Sequence, residues 1–243
     1  MNVTFLMAAA GVKSPESELI YVIKQATPEG QAILLILAIF SIFAWSVMAS
    51  KAVQMRRAKR LNRLFESEYR IQKGPLAIYD RQVQVEDCPL FMVYREGCKE
   101  MDIRLKSPGG EARKQFISIK AMEHIKRTLE GAVASQSLRL ESGLILLAIA
   151  VSGAPFLGLL GTVWGVMSTF GHIAQEGSAT LSAMAPGVSA ALVTTVAGLL
   201  VAIPSMFGYN YLVHNLRVLT VELDNFAQDL VSKLETEYLK DDE

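Results

Sequence analysis

Charge is missing from long stretches of this 243-residue chain: no Asp, Glu, Lys or Arg lies between Glu29 and Lys51, between Glu141 and Glu176, or between Glu176 and Arg217. Ionisable groups inside a membrane are costly and commonly mark ion pathways, so these runs hold no carboxylate with which to relay protons. Cysteine is scarce as well. Cys88 and Cys98 are the only two; they form no CxxC and join no Cys/His cluster, which excludes a zinc-type site and a disulfide framework. Both are expected to be buried thiols of a reducing compartment. The sequence has no P-loop, no nucleophile elbow and no His/Asp/Glu set at ligand spacing. It therefore predicts no catalytic residue, no metal site, no cofactor and no enzymatic activity. The 24 basic residues equal the 24 acidic ones, so the global basic footprint of a nucleic-acid-binding protein is absent too.

What is present is hydrophobicity in blocks. Apolar residues make up 51% of the chain, concentrated at Gln31–Ser50, Ser142–Gly171 and Gly177–Val213. About 20 apolar residues span a hydrocarbon core of about 30 Å as a helix. The first run has that length; the other two are longer, which predicts tilt or projection beyond the lipid. As buried helices of a soluble protein, three such runs would leave too little polar chain to cover them. Cytoplasmic flanks carry excess Lys and Arg, and Lys51, Arg56, Arg57, Lys59, Arg60 and Arg63 all precede Glu66, the first acid after the first run. The predicted order is therefore a periplasmic segment 1–30, a first span 31–50, a cytoplasmic region 51–141, a second span 142–171, a periplasmic loop 172–182, a third span 183–213 and a cytoplasmic helix 214–243. Met1 to Gly11 lacks a basic stretch before its short apolar run, which argues against a cleaved signal peptide and for an interfacial or disordered start.

The charged region has helical periodicity, with breaks at Gly74-Pro75, Pro89 and Ser107-Pro108-Gly109-Gly110. Beyond the last break, Phe116, Ile119, Met122, Ile125 and Leu129 recur near helical spacing, and one helix is expected to run from there into the second span. Leu216, Leu219, Leu223, Phe226, Leu230 and Leu234 repeat the pattern in the tail, which predicts that the third span also continues as an amphipathic helix. The fold class is all-α: a three-span transmembrane helical protein whose long helices extend into a cytoplasmic helical bundle.

In the second run, Pro155, Gly158, Leu159, Thr162, Gly165, Val166 and Thr169 share one helix face. Gly161 and Gly165 form a GxxxG step, which lets membrane helices approach closely. In the third run, Gly187, Ala191, Thr195, Gly198, Ala202 and Ser205 make a second ladder of small residues. Two readings of Thr162, Thr169, Thr194 and Thr195 stand side by side: back-bonding to a carbonyl one turn earlier in service of packing, or hydroxyls offered to a partner. Pro155 removes one backbone hydrogen bond and is expected to kink its helix. Trp164, deep in its span, is expected to pack rather than anchor at an interface. His172 and His214, at span ends, are expected to be interfacial.

Ala154-Pro155-Phe156-Leu157-Gly158-Leu159-Leu160-Gly161-Thr162-Val163-Trp164-Gly165-Val166-Met167 closely resembles the signature of the MotA/TolQ/ExbB proton channel family, in its TolQ/ExbB branch. Ala185-Pro186-Gly187-Val188-Ser189-Ala190-Ala191-Leu192-Val193-Thr194-Thr195-Val196-Ala197-Gly198-Leu199 resembles that family's third span. The resemblance implies a bacterial inner-membrane homopentamer, a ring whose second and third spans enclose a pore holding single-span ExbD/TolR-like partners. Each partner helix carries an aspartate, Thr162 and Thr195 correspond to the pore-lining threonines, and proton flow energises a TonB- or TolA-like periplasmic protein. Phe40 to Trp45 looks more like the TolQ side, which favours Tol-Pal over TonB. Ala190 stands where many relatives have Glu, so dependence on a partner's acid is stronger here. A structural scaffold that anchors a partner without proton use is the alternative; a flagellar-type stator, typically of four spans, fits less well.

Overall fold

The computed structural model describes residues 27–106, 116–176 and 180–239. The expected interfacial start at Met1–Gly11 and the Ser107–Gly110 break lie outside them. The described helices are α1 (Pro28–Ile71), α2 (Ala77–Asp80), α3 (Pro89–Leu105), α4 (Ile119–Glu141), α5 (Leu144–Glu176) and α6 (Leu181–Tyr238). No strand occurs among the described residues; an isolated bridge pairs Ile117 with Leu239. Three helices, α1, α5 and α6, are long and apolar enough to cross a membrane.

Local chemistry sets most of the boundaries. Thr27 caps α1, its Oγ1 accepting from Gly30 N at 3.2 Å, and Pro28 fits the first helical position, where no N–H is needed. Beyond Gly30 no Gly or Pro follows until Gly74, so α1 passes through the end of the apolar run and continues for 44 residues in all. Ser118 caps α4 by accepting from Ala121 N at 3.3 Å. Pro89 opens α3 rather than interrupting a helix.

The expected single helix through the second span is corrected. α4 ends at Glu141, Ser142 is non-helical at φ −49°, ψ 133°, and Gly143 takes φ 86°, a left-handed conformation open to glycine because it has no Cβ. α5 starts afresh at Leu144. The expected 172–182 loop is also shorter than predicted, since α5 runs to Glu176 and α6 begins at Leu181. Pro155 does not end α5, nor do Pro186 and Pro204 end α6.

The chain divides into two compact units. The first comprises Met1–Met48 and Gly143–Asn210. Here Ile33 and Leu37 of α1 bury against Ala154 of α5 and Val201 and Ala202 of α6. The large side chains Phe156, Leu160, Val163, Leu192, Val196 and Leu200 point outward, an apolar exterior suited to lipid or to further helices.

The second unit comprises Ala49–Ser142 and Tyr211–Glu243, and its core is aromatic. Phe65 and Tyr69 of α1, Phe91 and Tyr94 of α3 and Phe226 of α6 meet with centroids 5.2 to 6.4 Å apart, several edge to face as ring quadrupoles prefer. Met122, Ile125 and Leu129 join this core, whereas Phe116 and Ile119 are exposed. The tail ladder is buried from Leu219 to Leu234, with Leu216 half-buried. Asn62, 1% exposed, accepts from Leu90 N at 3.1 Å and so caps α3 from a neighbouring helix. Cys88, the residue at the usual capping position, makes no side-chain cap.

Candidate functional site

The small-residue ladders face each other in the first unit. A Cβ placed on Gly198 would stand 2.6 Å from the carbonyl oxygen of Ala154, and one on Gly158 would stand 2.8 Å from that of Thr194 and 3.0 Å from Thr195 Cα. At Gly161 it would meet Thr194 Oγ1 at 2.5 Å, at Gly165 Ala191 Cβ at 2.7 Å, and at Gly187 it would overlap the Thr169 hydroxyl. As numbers rise along α5 they fall along α6, so the two helices are antiparallel and in near backbone contact. Only residues without bulk permit this approach. Ala154, Gly158, Gly161, Gly165, Ala191 and Gly198 are all buried, while Leu159, assigned to the same face from spacing, is 53% exposed.

The four threonines separate into two kinds. Thr169 and Thr194 are buried. Thr169 bonds back to Gly165 O at 2.8 Å; Thr194 donates within reach of Ala191 O at 2.7 Å and of Gly158 O across the helix pair at 3.0 Å. Both serve packing. Thr162 and Thr195 are only half-buried, and their hydroxyls bond to each other with either atom able to donate. Each also reaches Gly158 O at 3.2 Å, and Thr162 reaches Ala191 O at 3.3 Å.

The hydrogen-bond arithmetic of this pair is uneven. Two hydroxyls bring one proton and two lone pairs each, and the proton of Thr162 can point at a carbonyl of its own helix, a carbonyl of α6 or its partner hydroxyl. The pair therefore has lone pairs to spare and a proton that can be redirected. It can accept from a protonated acid or donate to its anion, without any titratable group of its own. That combination lies near the middle of the two apolar runs, which carry no formal charge.

Residues 96–225, more than half of the chain, match the MotA/TolQ/ExbB proton channel family. The chain belongs to it. The Tol-Pal system protein TolQ of Pseudomonas aeruginosa is 32% identical over 183 residues, spanning 74% of this chain and 76% of that protein. The biopolymer transport protein ExbB of Neisseria meningitidis serogroup A is 28% identical over 204 residues, 83% of this chain and 90% of its own. Another ExbB, from Xanthomonas campestris, is 42% identical over 113 residues, 46% of this chain and 45% of that protein. With its three long apolar helices, this member of the family is a multi-pass membrane protein of the TolQ/ExbB branch.

Other expected residues fall as follows. Ala190 is 3% exposed and sealed within the first unit. Trp164 is 42% exposed, so it does not pack inside this chain as expected. His172 is exposed within α5, and His214 is exposed within α6. Cys88 and Cys98 are fully buried free thiols, as expected. Burial pushes the Cys98 thiol up to about 12, partly offset by its hydrogen bond to Tyr94, and raises Cys88 as well; neither is a reactive thiolate near neutrality. Among the described residues no group of His, Cys, Asp or Glu could hold a metal ion.

Sequence reasoning missed the Gly158 carbonyl, the shared acceptor of three hydroxyls, because a backbone oxygen carries no residue signature. It also missed the bridge in which Asp87 faces both Arg57 at 3.4 Å and Arg139 at 3.7 Å; these residues are far apart in sequence and no motif links them.

Proposed function

We propose that this chain is the non-enzymatic channel subunit of a proton-driven energiser in a bacterial inner membrane, with its N-terminus periplasmic and residues 51–141 and 214–243 cytoplasmic. Five copies form a ring, and α5 and α6 line a pore that receives the helix of an ExbD/TolR-like partner. The partner's aspartate is the titrating group. Thr162 and Thr195 meet it, donating to the carboxylate or accepting from the acid, so each protonation state finds a hydrogen bond. Alternation between the two states moves the partner helices, and the motion reaches a periplasmic TolA- or TonB-like protein, with Tol-Pal placed ahead of TonB.

The observation that carries this reading is the half-buried, mutually bonded hydroxyl pair set in two helical stretches that contain no Asp, Glu, Lys or Arg. A scaffold needs no such pair, since the Thr169 and Thr194 type of bond already holds helices together. Thr162→Val and Thr195→Val keep side-chain volume and remove the hydroxyls. Both variants are expected to assemble with the partner at wild-type mass and to fail in a deletion strain. Rescue by either variant defeats the channel reading in favour of the scaffold. Detergent sensitivity and chaining in the deletion strain support Tol-Pal; a defect confined to iron-complex uptake supports TonB.

A further inference from the structure

A second feature of the molecule is unrelated to the threonine pair. In the second unit, a cavity of about 230 Å³ is lined by Ser50, Gln54, Arg57, Asp87, Gln136 and Arg139, among others. Arg57 comes from α1, Arg139 from the last turn of α4, and Asp87 from the segment before α3. The carboxylate of Asp87 takes Arg57 on Oδ2 at 3.4 Å and Arg139 on Oδ1 at 3.7 Å. Both contacts are longer than the roughly 2.7–2.9 Å of a well-formed charge-assisted bond. Two guanidinium groups facing one carboxylate leave a formal positive charge in the lining, and the Arg57 and Arg139 side chains are 64% and 57% exposed. Asp87 holds its place from a backbone at φ 57°, a region Asp tolerates better than most residues.

Chain position says what occupies such a cavity. Ser50 is the last residue of the first uncharged run, and Leu140, also in the lining, stands two residues before the second. Lys51 ties the two ends together, donating toward Leu140 O at 3.3 Å and Ser142 Oγ at 3.5 Å. Both walls therefore belong where helices leave the hydrocarbon and headgroup phosphates lie. A fork of donors on a guanidinium matches a phosphate better than a single carboxylate can satisfy two of them. We propose that this cavity binds the phosphodiester headgroup of an anionic phospholipid, with Arg57 and Arg139 as its ligands and Asp87 as an internal competitor that holds them in place when no lipid is bound.

Native mass spectrometry of the full chain, released from nanodiscs containing equal phosphatidylglycerol and phosphatidylcholine, reads this directly. Wild-type protein is expected to retain phosphatidylglycerol. A basic side chain at a membrane surface contributes about a fivefold preference, so R57Q/R139Q lowers retention by about 25-fold. D87N, which keeps both arginines and removes their competitor, raises retention by about fivefold on the same basis. R63Q, an exposed arginine outside the cavity, leaves it unchanged. Circular dichroism checks that the double variant folds; should it unfold, D87N decides. Unchanged retention in R57Q/R139Q, reduced retention in D87N, or an equal loss in R63Q overturns the site. Displacement of the lipid by inorganic phosphate at equal concentration assigns the cavity to a soluble anion and overturns the headgroup.

Discussion

Gly158→Ala tests the packing on which the site stands. The new methyl would lie 2.8 Å from Thr194 O, about 0.6 Å inside the 3.4 Å at which ordinary contact begins, and 3.0 Å from Thr195 Cα. Both obstacles are backbone, so neither can swing aside and the helices must part. Overpacking of this kind costs about 1–3 kcal/mol. Parting also loosens the bonds from Thr194 and Thr195 to Gly158 O, now 3.0 and 3.2 Å, at about 0.6 kcal/mol each in a membrane protein. Alanine's better helix propensity returns about 1 kcal/mol. The net expectation is a loss of about 1–3 kcal/mol, or about 5- to 150-fold in the folding equilibrium. Gly153 is the control, because nothing lies within 4 Å of a Cβ placed there; Gly153→Ala is expected to be neutral or slightly stabilising. SDS-driven unfolding in mixed micelles, followed by circular dichroism, compares the two. If Gly158→Ala proves as stable as Gly153→Ala, the close approach of α5 and α6 is wrong.

Three further outcomes follow from the second unit. Asn62→Ala removes the acceptor that caps α3 at Leu90 N and is expected to cost about 1–2 kcal/mol in denaturant unfolding; an unchanged midpoint refutes the capping role. Gly97→Ala drives a methyl to 2.5 Å from Leu129 Cδ2, and since Leu129 is 1% exposed it has little room to yield, so a loss of about 1–3 kcal/mol is expected by the same assay. The Cys98 thiol has an ordinary value of 9.0 and is held near 12 when folded, chiefly by burial. A raised value means that its contribution to stability is complete below about pH 9 and lost as pH climbs from there through about 12. Alkylation at neutral pH is expected only after unfolding, and Cys98→Ser should flatten the alkaline decline; rapid labelling of the native protein contradicts this.

The helical architecture was legible because its signals are redundant. Three uncharged runs and a helical periodicity with no break before Gly74-Pro75 agree. The break at Ser142-Gly143 was not legible: the apolar pattern of α4 leads straight toward the next run, and a single glycine is an ambiguous signal until its φ is known. The facing ladders were legible as spacing, and the structure sorts their members by depth. Thr194 and Thr195 are neighbours in sequence, yet a turn of about 100° between successive residues buries one between the helices and leaves the other at the edge. The Gly158 carbonyl and the Arg57–Asp87–Arg139 bridge are products of tertiary approach and have no linear signature.

Proton flux driven by a pH gradient across proteoliposomes, with this chain reconstituted beside its single-span partner, tests the role of the hydroxyl pair most directly. A hydrogen bond to a charged group contributes about 1.5–3 kcal/mol, so Thr162→Val and Thr195→Val should each lower flux by about 10- to 150-fold while the serine variants keep it. Undiminished flux in both valine variants would mean that these threonines only pack helices.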